Sequence, residues 1–189
     1  MNTEELNALK ERAYKTAAAH GFHEDIRPDA YYLGLVMSEM GEAINADRKG
    51  DHADTKGFED GLAKFPPTDC FNAYIKDSLE DEIADVVIRL LDFAGLKDYN
   101  LVSFEIPHAE YVIKKSFAEY GLPGILFRLN SWLGEAICKN NVDATINSEI
   151  NLIRYSFGIA TGSDKDLWWF VEKKMRYNEL RPKLNGKKY

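Results

Sequence analysis

Leu33-Gly34-Leu35-Val36-Met37-Ser38-Glu39-Met40-Gly41-Glu42-Ala43-Ile44-Asn45-Ala46 is the stretch whose periodicity decides the fold. At about 100° per residue, Leu33, Val36, Met37, Met40 and Ile44 form one apolar stripe, which Leu35, Ala43 and Ala46 widen. Gly34, Ser38, Gly41, Asn45 and Arg48 make the opposite, polar face. That is the pattern of a helix lying on a core. Glu39 breaks it by falling inside the apolar arc, and Glu42 lies at the arc's edge. A carboxylate so placed loses hydration worth several kcal/mol, so it must be protonated, paired with a cation or bound to a metal.

The same period continues along the chain. A helix is predicted from Thr3, as cap, to His20, with Glu4 and Glu5 in its first turn and Gly21 as its stop. A second starts near Asp29, after Pro28, and ends at Gly50. Residues 51–77 hold Gly57, Gly61, Pro66 and Pro67 without a sustained period, and read as a long loop or lid. A third helix is capped by Ser78 and stops near Gly95. Apolar helical patterns follow at 108–120, 123–140 and 143–161, and a last one runs from Ser163 to Leu180, closed by Pro182. With no alternating pattern to suggest strands, the expectation is an all-α bundle of six or seven helices.

Gly41-Glu42-Ala43-Ile44 recurs as Gly134-Glu135-Ala136-Ile137, with Leu33 matching Leu126 and Ser38 matching Ser131. Glu82-Ile83 and Gly95 align with Glu149-Ile150 and Gly162. The single domain 1–189 therefore divides into a first copy at 22–96 with 51–77 inserted, a degenerate second copy at 108–162, and a C-terminal helix with a basic tail at 163–189. Trp132 replaces Glu39 and Leu152 replaces Asp85, so only the first copy keeps four carboxylates.

With 189 residues, 45% hydrophobic and 29% charged, the chain can bury a core, which excludes a disordered or disulfide-scaffold protein. Its apolar runs, such as 31–37, fall far short of the roughly 20 residues that cross a bilayer. The acidic start, Met1-Asn2-Thr3-Glu4-Glu5, lacks the pattern of a secretory signal. Cys70 and Cys138 read as reduced thiols, and His20, His23, His52 and His108 show no ligand spacing, so a cytoplasmic location is expected. The net charge of -7 divides unevenly. From Lys173 to Tyr189, seven basic residues against Glu179 leave +6 on the tail and -13 on residues 1–172. An acidic body repels long nucleic acid, yet an acidic site that collects divalent cations can hold a small polyphosphate if basic groups reach its other end.

Glu82 and Asp85 share a face of the third helix beside Val86 and Phe93, with Asp92 nearby and Arg89 the only cation. If that face meets Glu39 and Glu42, four carboxylates converge on one arginine, a conflict that divalent cations resolve. Side chains three apart on a helix lie about 5–6 Å from each other, near enough to share ions. All-oxygen ligands favour Mg2+, with Mn2+ as a substitute. The plainer reading pairs Glu39 and Glu42 with lysines and Asp85 with Arg89 at i+4. A di-iron bundle needs two Glu-x-x-His pairs, and the one present, Glu105-Ile106-Pro107-His108, is interrupted by proline. Trp168, Trp169, Phe58, Phe65 and Phe71 are candidates for stacking on a base, although tryptophans in a helix more often pack in the core.

Glu39-x-x-Glu42 followed by Glu82-x-x-Asp85, on helices reading Leu35-Val36-Met37-Ser38-Glu39-Met40-Gly41-Glu42-Ala43 and Asp81-Glu82-Ile83-Ala84-Asp85-Val86-Val87-Ile88, resembles the MazG-like all-α nucleoside triphosphate pyrophosphohydrolases. Lys174-Met175-x-x-Asn178-x-x-Arg181-Pro182 with Gly186-Lys187-Lys188-Tyr189 is similar to the tail of the dCTP-pyrophosphatase and MazG-like branch. The loop between the carboxylate pairs is longer than usual for that family. The resemblance implies magnesium-dependent cleavage between the α and β phosphates, giving a nucleoside monophosphate and pyrophosphate. Glu39, Glu42, Glu82 and Asp85 would bind magnesium, and Glu39 would also orient or deprotonate the attacking water. Lys174, Asn178, Arg181 and Arg89 would bind substrate. The degenerate half resembles the arrangement in dimeric dUTPases, which implies a monomeric pseudo-dimer or a homodimer. A non-catalytic nucleotide-binding or regulatory protein of the same fold is the alternative.

Overall fold

The protein's structure is a computed structural model that describes residues 1–105 and 108–182. Ile106 and Pro107, and the tail residues Lys183, Gly186, Lys187, Lys188 and Tyr189, lie outside the described residues. The described residues are all-helical: α1 (Thr3–Ala19), α2 (Asp29–Lys49), α3 (Thr55–Gly61), α4 (Pro67–Tyr74), α5 (Leu79–Leu96), α6 (Ala109–Lys139), α7 (Val142–Thr161) and α8 (Leu167–Glu179).

Local chemistry sets the boundaries. The cap of α1 is Asn2, one residue before the expected Thr3: its side chain accepts from the Glu5 amide at 2.9 Å while the Glu5 carboxylate accepts from the Asn2 amide at 2.7 Å. Pro28 precedes α2, and Gly50 closes it in the left-handed region at φ 71°. The Ser78 side chain accepts from the Asp81 amide and starts α5 as expected. Asp166 caps α8 by accepting from the Trp169 amide at 2.9 Å, so that helix starts later than the predicted Ser163. Gly121, at φ 61° and ψ 178°, breaks α6 where the sequence divides 108–120 from 123–140.

The reading of 51–77 as one long loop or lid is corrected. Asp54 caps α3 by accepting from the Gly57 amide at 2.7 Å, and Pro67 sits in the first turn of α4, where its missing N–H does no harm. These two short helices account for the excess over six or seven. They are fastened down, with Phe58 edge-on to Trp169 and Phe71 stacked on Tyr177 at 4.4 Å.

Helix α5 is the axis, packed against α1, α2, α7 and α8. Val86, Val87, Leu90, Leu91, Phe93 and Ala94 are fully buried on it, and each large side chain among them stabilises the fold by about 1.5–3 kcal/mol. Gly95 lets α1 approach, because a Cβ there would lie 2.5 Å from Tyr14 Cβ. The pair α6 and α7 packs beside this unit. In the register of the internal repeat, Leu33, Val36, Met40 and Ala43 fall on Leu126, Leu129, Leu133 and Ala136, and Leu79, Ile83, Val86 and Leu90 fall on Ile146, Ile150, Ile153 and Phe157; all sixteen are buried. No helix among the described residues is long and apolar enough to cross a membrane.

Candidate metal centre and adjoining cleft

Helix α2 lies along α5 and brings Glu39 and Glu42 to the first turn of α5. Glu39, Glu42 and Glu82 each offer an oxygen within 4.8 Å of the others. Glu39 and Glu82 are 4% and 5% exposed, whereas Glu42 is exposed, as its place at the edge of the apolar arc requires. The start of α5 favours negative charge, because unpaired amides and the helix dipole point there.

The buried pair is neutralised unequally. Arg89 Nε donates to Glu39 Oε1 at 2.5 Å. Burial, with Asp85 next, still raises the Glu39 pKa against the pull of Arg89. Glu82 has no hydrogen-bond or ion-pair partner among the described residues. Burial foremost, then the charges of Asp85 and Asp81, push its carboxyl up to about 8.

Asp85 faces a different partner. Lys174 Nζ, on α8, donates to Asp81 Oδ2 at 2.8 Å and pairs with Asp85 Oδ2 at 2.7 Å. Lys174 is 5% exposed and pairs with both aspartates, so its ammonium is spent inside the fold and not held out to bind substrate as the resemblance implied. Burial alone would lower its pKa, but Asp85 and Asp81 outweigh that and raise it. Asp81, which the sequence reading did not single out, belongs to the same acidic group. Its burial pushes it up to about 6 despite Lys174, and its Oδ1 is buried without a partner. Asp77, Asp81 and Glu82 form a second acidic group, in which Lys76 holds Asp77 at 2.6 Å.

Beside these groups runs a cleft of about 250 Å³ between α1, α2, α5 and α8. Five residues predicted from sequence line it: Glu39, Asp85, Arg89, Asn178 and Arg181. Asn178 Oδ1 is buried there without a partner. The Arg181 carbonyl meets His20 Nε2 at 2.8 Å, which ties the end of α8 to α1. His23 and Asp92, joined at 2.7 Å, form another part of the wall, with the His23 ring stacked on Tyr14. The aromatic lining comes from Phe22, Tyr31 and Tyr32. Trp169, Phe58 and Phe71, considered for stacking on a base, instead pack among themselves and on α8. Sequence reasoning missed Phe22 and His23, in the connection between α1 and α2, and Tyr31 and Tyr32, in the first turn of α2, whose only signal was their aromatic and histidine content.

No family model matches the chain, and no curated protein or solved structure matches it either.

Proposed function

We propose that the chain is a magnesium-dependent nucleoside triphosphate pyrophosphohydrolase of the MazG-like kind, cleaving between the α and β phosphates to give a nucleoside monophosphate and pyrophosphate. The observation that carries this reading is Glu82: a nearly buried carboxyl without a partner, beside Glu39 and Glu42. That donor set is all oxygen and suits Mg2+, with Mn2+ as a substitute. Glu39, Glu42 and Glu82 would hold the ion, with Asp85 bordering them. When bound, it would offset phosphate charge and polarise the phosphoryl group.

The remaining roles belong to the chain's own side chains. The raised pKa of Glu39 suits it to take a proton from the attacking water. Arg89, Arg181 and Asn178, on the wall of the same cleft, would hold phosphate and sugar oxygens, and Tyr31 and Tyr32 offer ring surface to a base. The shared buried register of the two helix pairs supports a duplicated chain acting as its own pseudo-dimer. Two unpaired cysteines are in keeping with a cytoplasmic setting.

One observation favours a second reading, a nucleotide-binding protein without turnover: Arg89 already occupies Glu39 Oε1, the acid assigned as base. The test is incubation with magnesium and a panel of nucleoside triphosphates, with pyrophosphate and orthophosphate measured separately. Pyrophosphate together with monophosphate is expected. Orthophosphate alone would overturn the proposed bond cleavage, and saturable nucleotide binding without either product would establish the second reading.

A further inference from the structure

Five carboxylates gather where α2 meets the start of α5 and α8: Glu39, Glu42, Asp81, Glu82 and Asp85. The fold supplies two cations to them. Arg89 takes Glu39, and Lys174 bridges Asp81 and Asp85 at 2.8 and 2.7 Å. Glu42 and Glu82 receive none among the described residues. The neighbouring acidic group of Asp77, Asp81 and Glu82 is likewise supplied by Lys76 and Lys174, except at Glu82. The charge left without a counter-ion is therefore confined to one side of the cluster. The buried, partnerless carboxyl of Glu82 marks that side.

We infer that Lys174 stands in place of a second divalent ion at Asp81 and Asp85, so that the resting chain binds a single ion, among Glu39, Glu42 and Glu82. This rests on the metal-centre reading above and narrows it. An ammonium is a compact charge with three donors, able to bridge two carboxylates as a cation would. Lys174 is 5% exposed and reaches the aspartates from a separate helix, so its ammonium sits between them where an ion would have to enter. An ion on Asp85 would meet that ammonium at close range in a poorly screened interior, where like charges repel strongly. Lys174 is thus a positioning residue: it fixes Asp85 and decides how many ions the site accepts.

Ion counting tests this without any appeal to turnover. The full chain is titrated with Mn2+ in the absence of nucleotide, with free Mn2+ followed by its electron paramagnetic resonance signal. One ion per chain is expected. Asp85→Asn should keep that single ion with its affinity changed by less than about five-fold, because Asp85 is not its ligand. Lys174→Met removes the bridging ammonium while leaving both Asp81 and Asp85 in place, and should raise the count to two.

Two ions on the native chain would overturn the inference while leaving the metal centre standing. Loss of the ion in Asp85→Asn would also overturn it, as would a folded Lys174→Met variant that stays at one. If Lys174→Met fails to fold, the native count and the Asp85→Asn affinity decide. No bound ion on the native chain would instead overturn the metal-centre reading itself.

Discussion

Arg89 Nε on α5 donates to Glu39 Oε1 on α2 at 2.5 Å, and this pair joins the two helices that carry the acidic cluster. Glu39 is almost fully buried, so removing the arginine leaves a carboxylate without compensation. Arg89→Met is expected to destabilise the fold by about 2–4 kcal/mol in urea denaturation, with magnesium recovering part of the loss by binding the folded state. Glu39→Gln keeps a hydrogen-bond acceptor for Arg89 while removing the proposed base. It should fold normally and lose turnover by about 100-fold or more.

With Glu82 held up to about 8, the site carries a proton at neutral pH that a bound divalent ion would displace. Magnesium binding at pH 7 should therefore release close to one proton per ion, falling toward none above about pH 9. Calorimetry in buffers of different ionisation enthalpy reads this directly. Without the ion, the stability that protonated Glu82 provides is present at low pH and is lost as pH rises through about 8. With the ion bound, that slope should flatten.

Glu149, the counterpart of Glu82 in the second copy, is 0% exposed, and neither of its oxygens has a partner. Burial pushes it up to about 9 from an ordinary value near 4.5. Its contribution to stability is full below about 4.5 and is lost as pH rises toward 9, a loss of roughly 3 kcal/mol by pH 7. Glu149→Leu should remove that slope and raise Tm by several degrees at pH 8, as thermal unfolding across pH 5–9 would register. An unchanged pH profile would show that Glu149 finds a partner in solution.

Two glycines predict opposite signs for the same substitution. Gly95→Ala drives a Cβ into Tyr14 and should destabilise by about 1–3 kcal/mol. Gly134, in the exposed face of α6, has nothing within 4 Å, so Gly134→Ala should stabilise by about 0.5–1 kcal/mol. Chemical denaturation of both variants checks the packing of α1 on α5.

Sequence was most legible where one helix supplies both the pattern and its stops. Pro28 and Gly50 bracket α2, Ser78 opens α5, and the apolar arc of α2 foretold the burial of Glu39. Helices α3 and α4, seven and eight residues long, are too short to display a period, and Pro66-Pro67 looked like an interruption when it is the start of a helix. In the site, Glu39, Glu42 and Glu82 could be grouped from their spacing. Lys174 could not be assigned, because nothing local to α8 says that Asp81 and Asp85 lie across from it. His23 and Asp92 are distant in sequence and meet only after α1 docks on α5.

The most direct measurement is a crystal soaked in MnCl2, with anomalous scattering recorded at the manganese edge. Expected is one peak among Glu39, Glu42 and Glu82, within about 2.0–2.3 Å of their oxygens. A peak elsewhere with none among these three, or no peak at saturating manganese, would contradict the assignment of a metal centre to this protein.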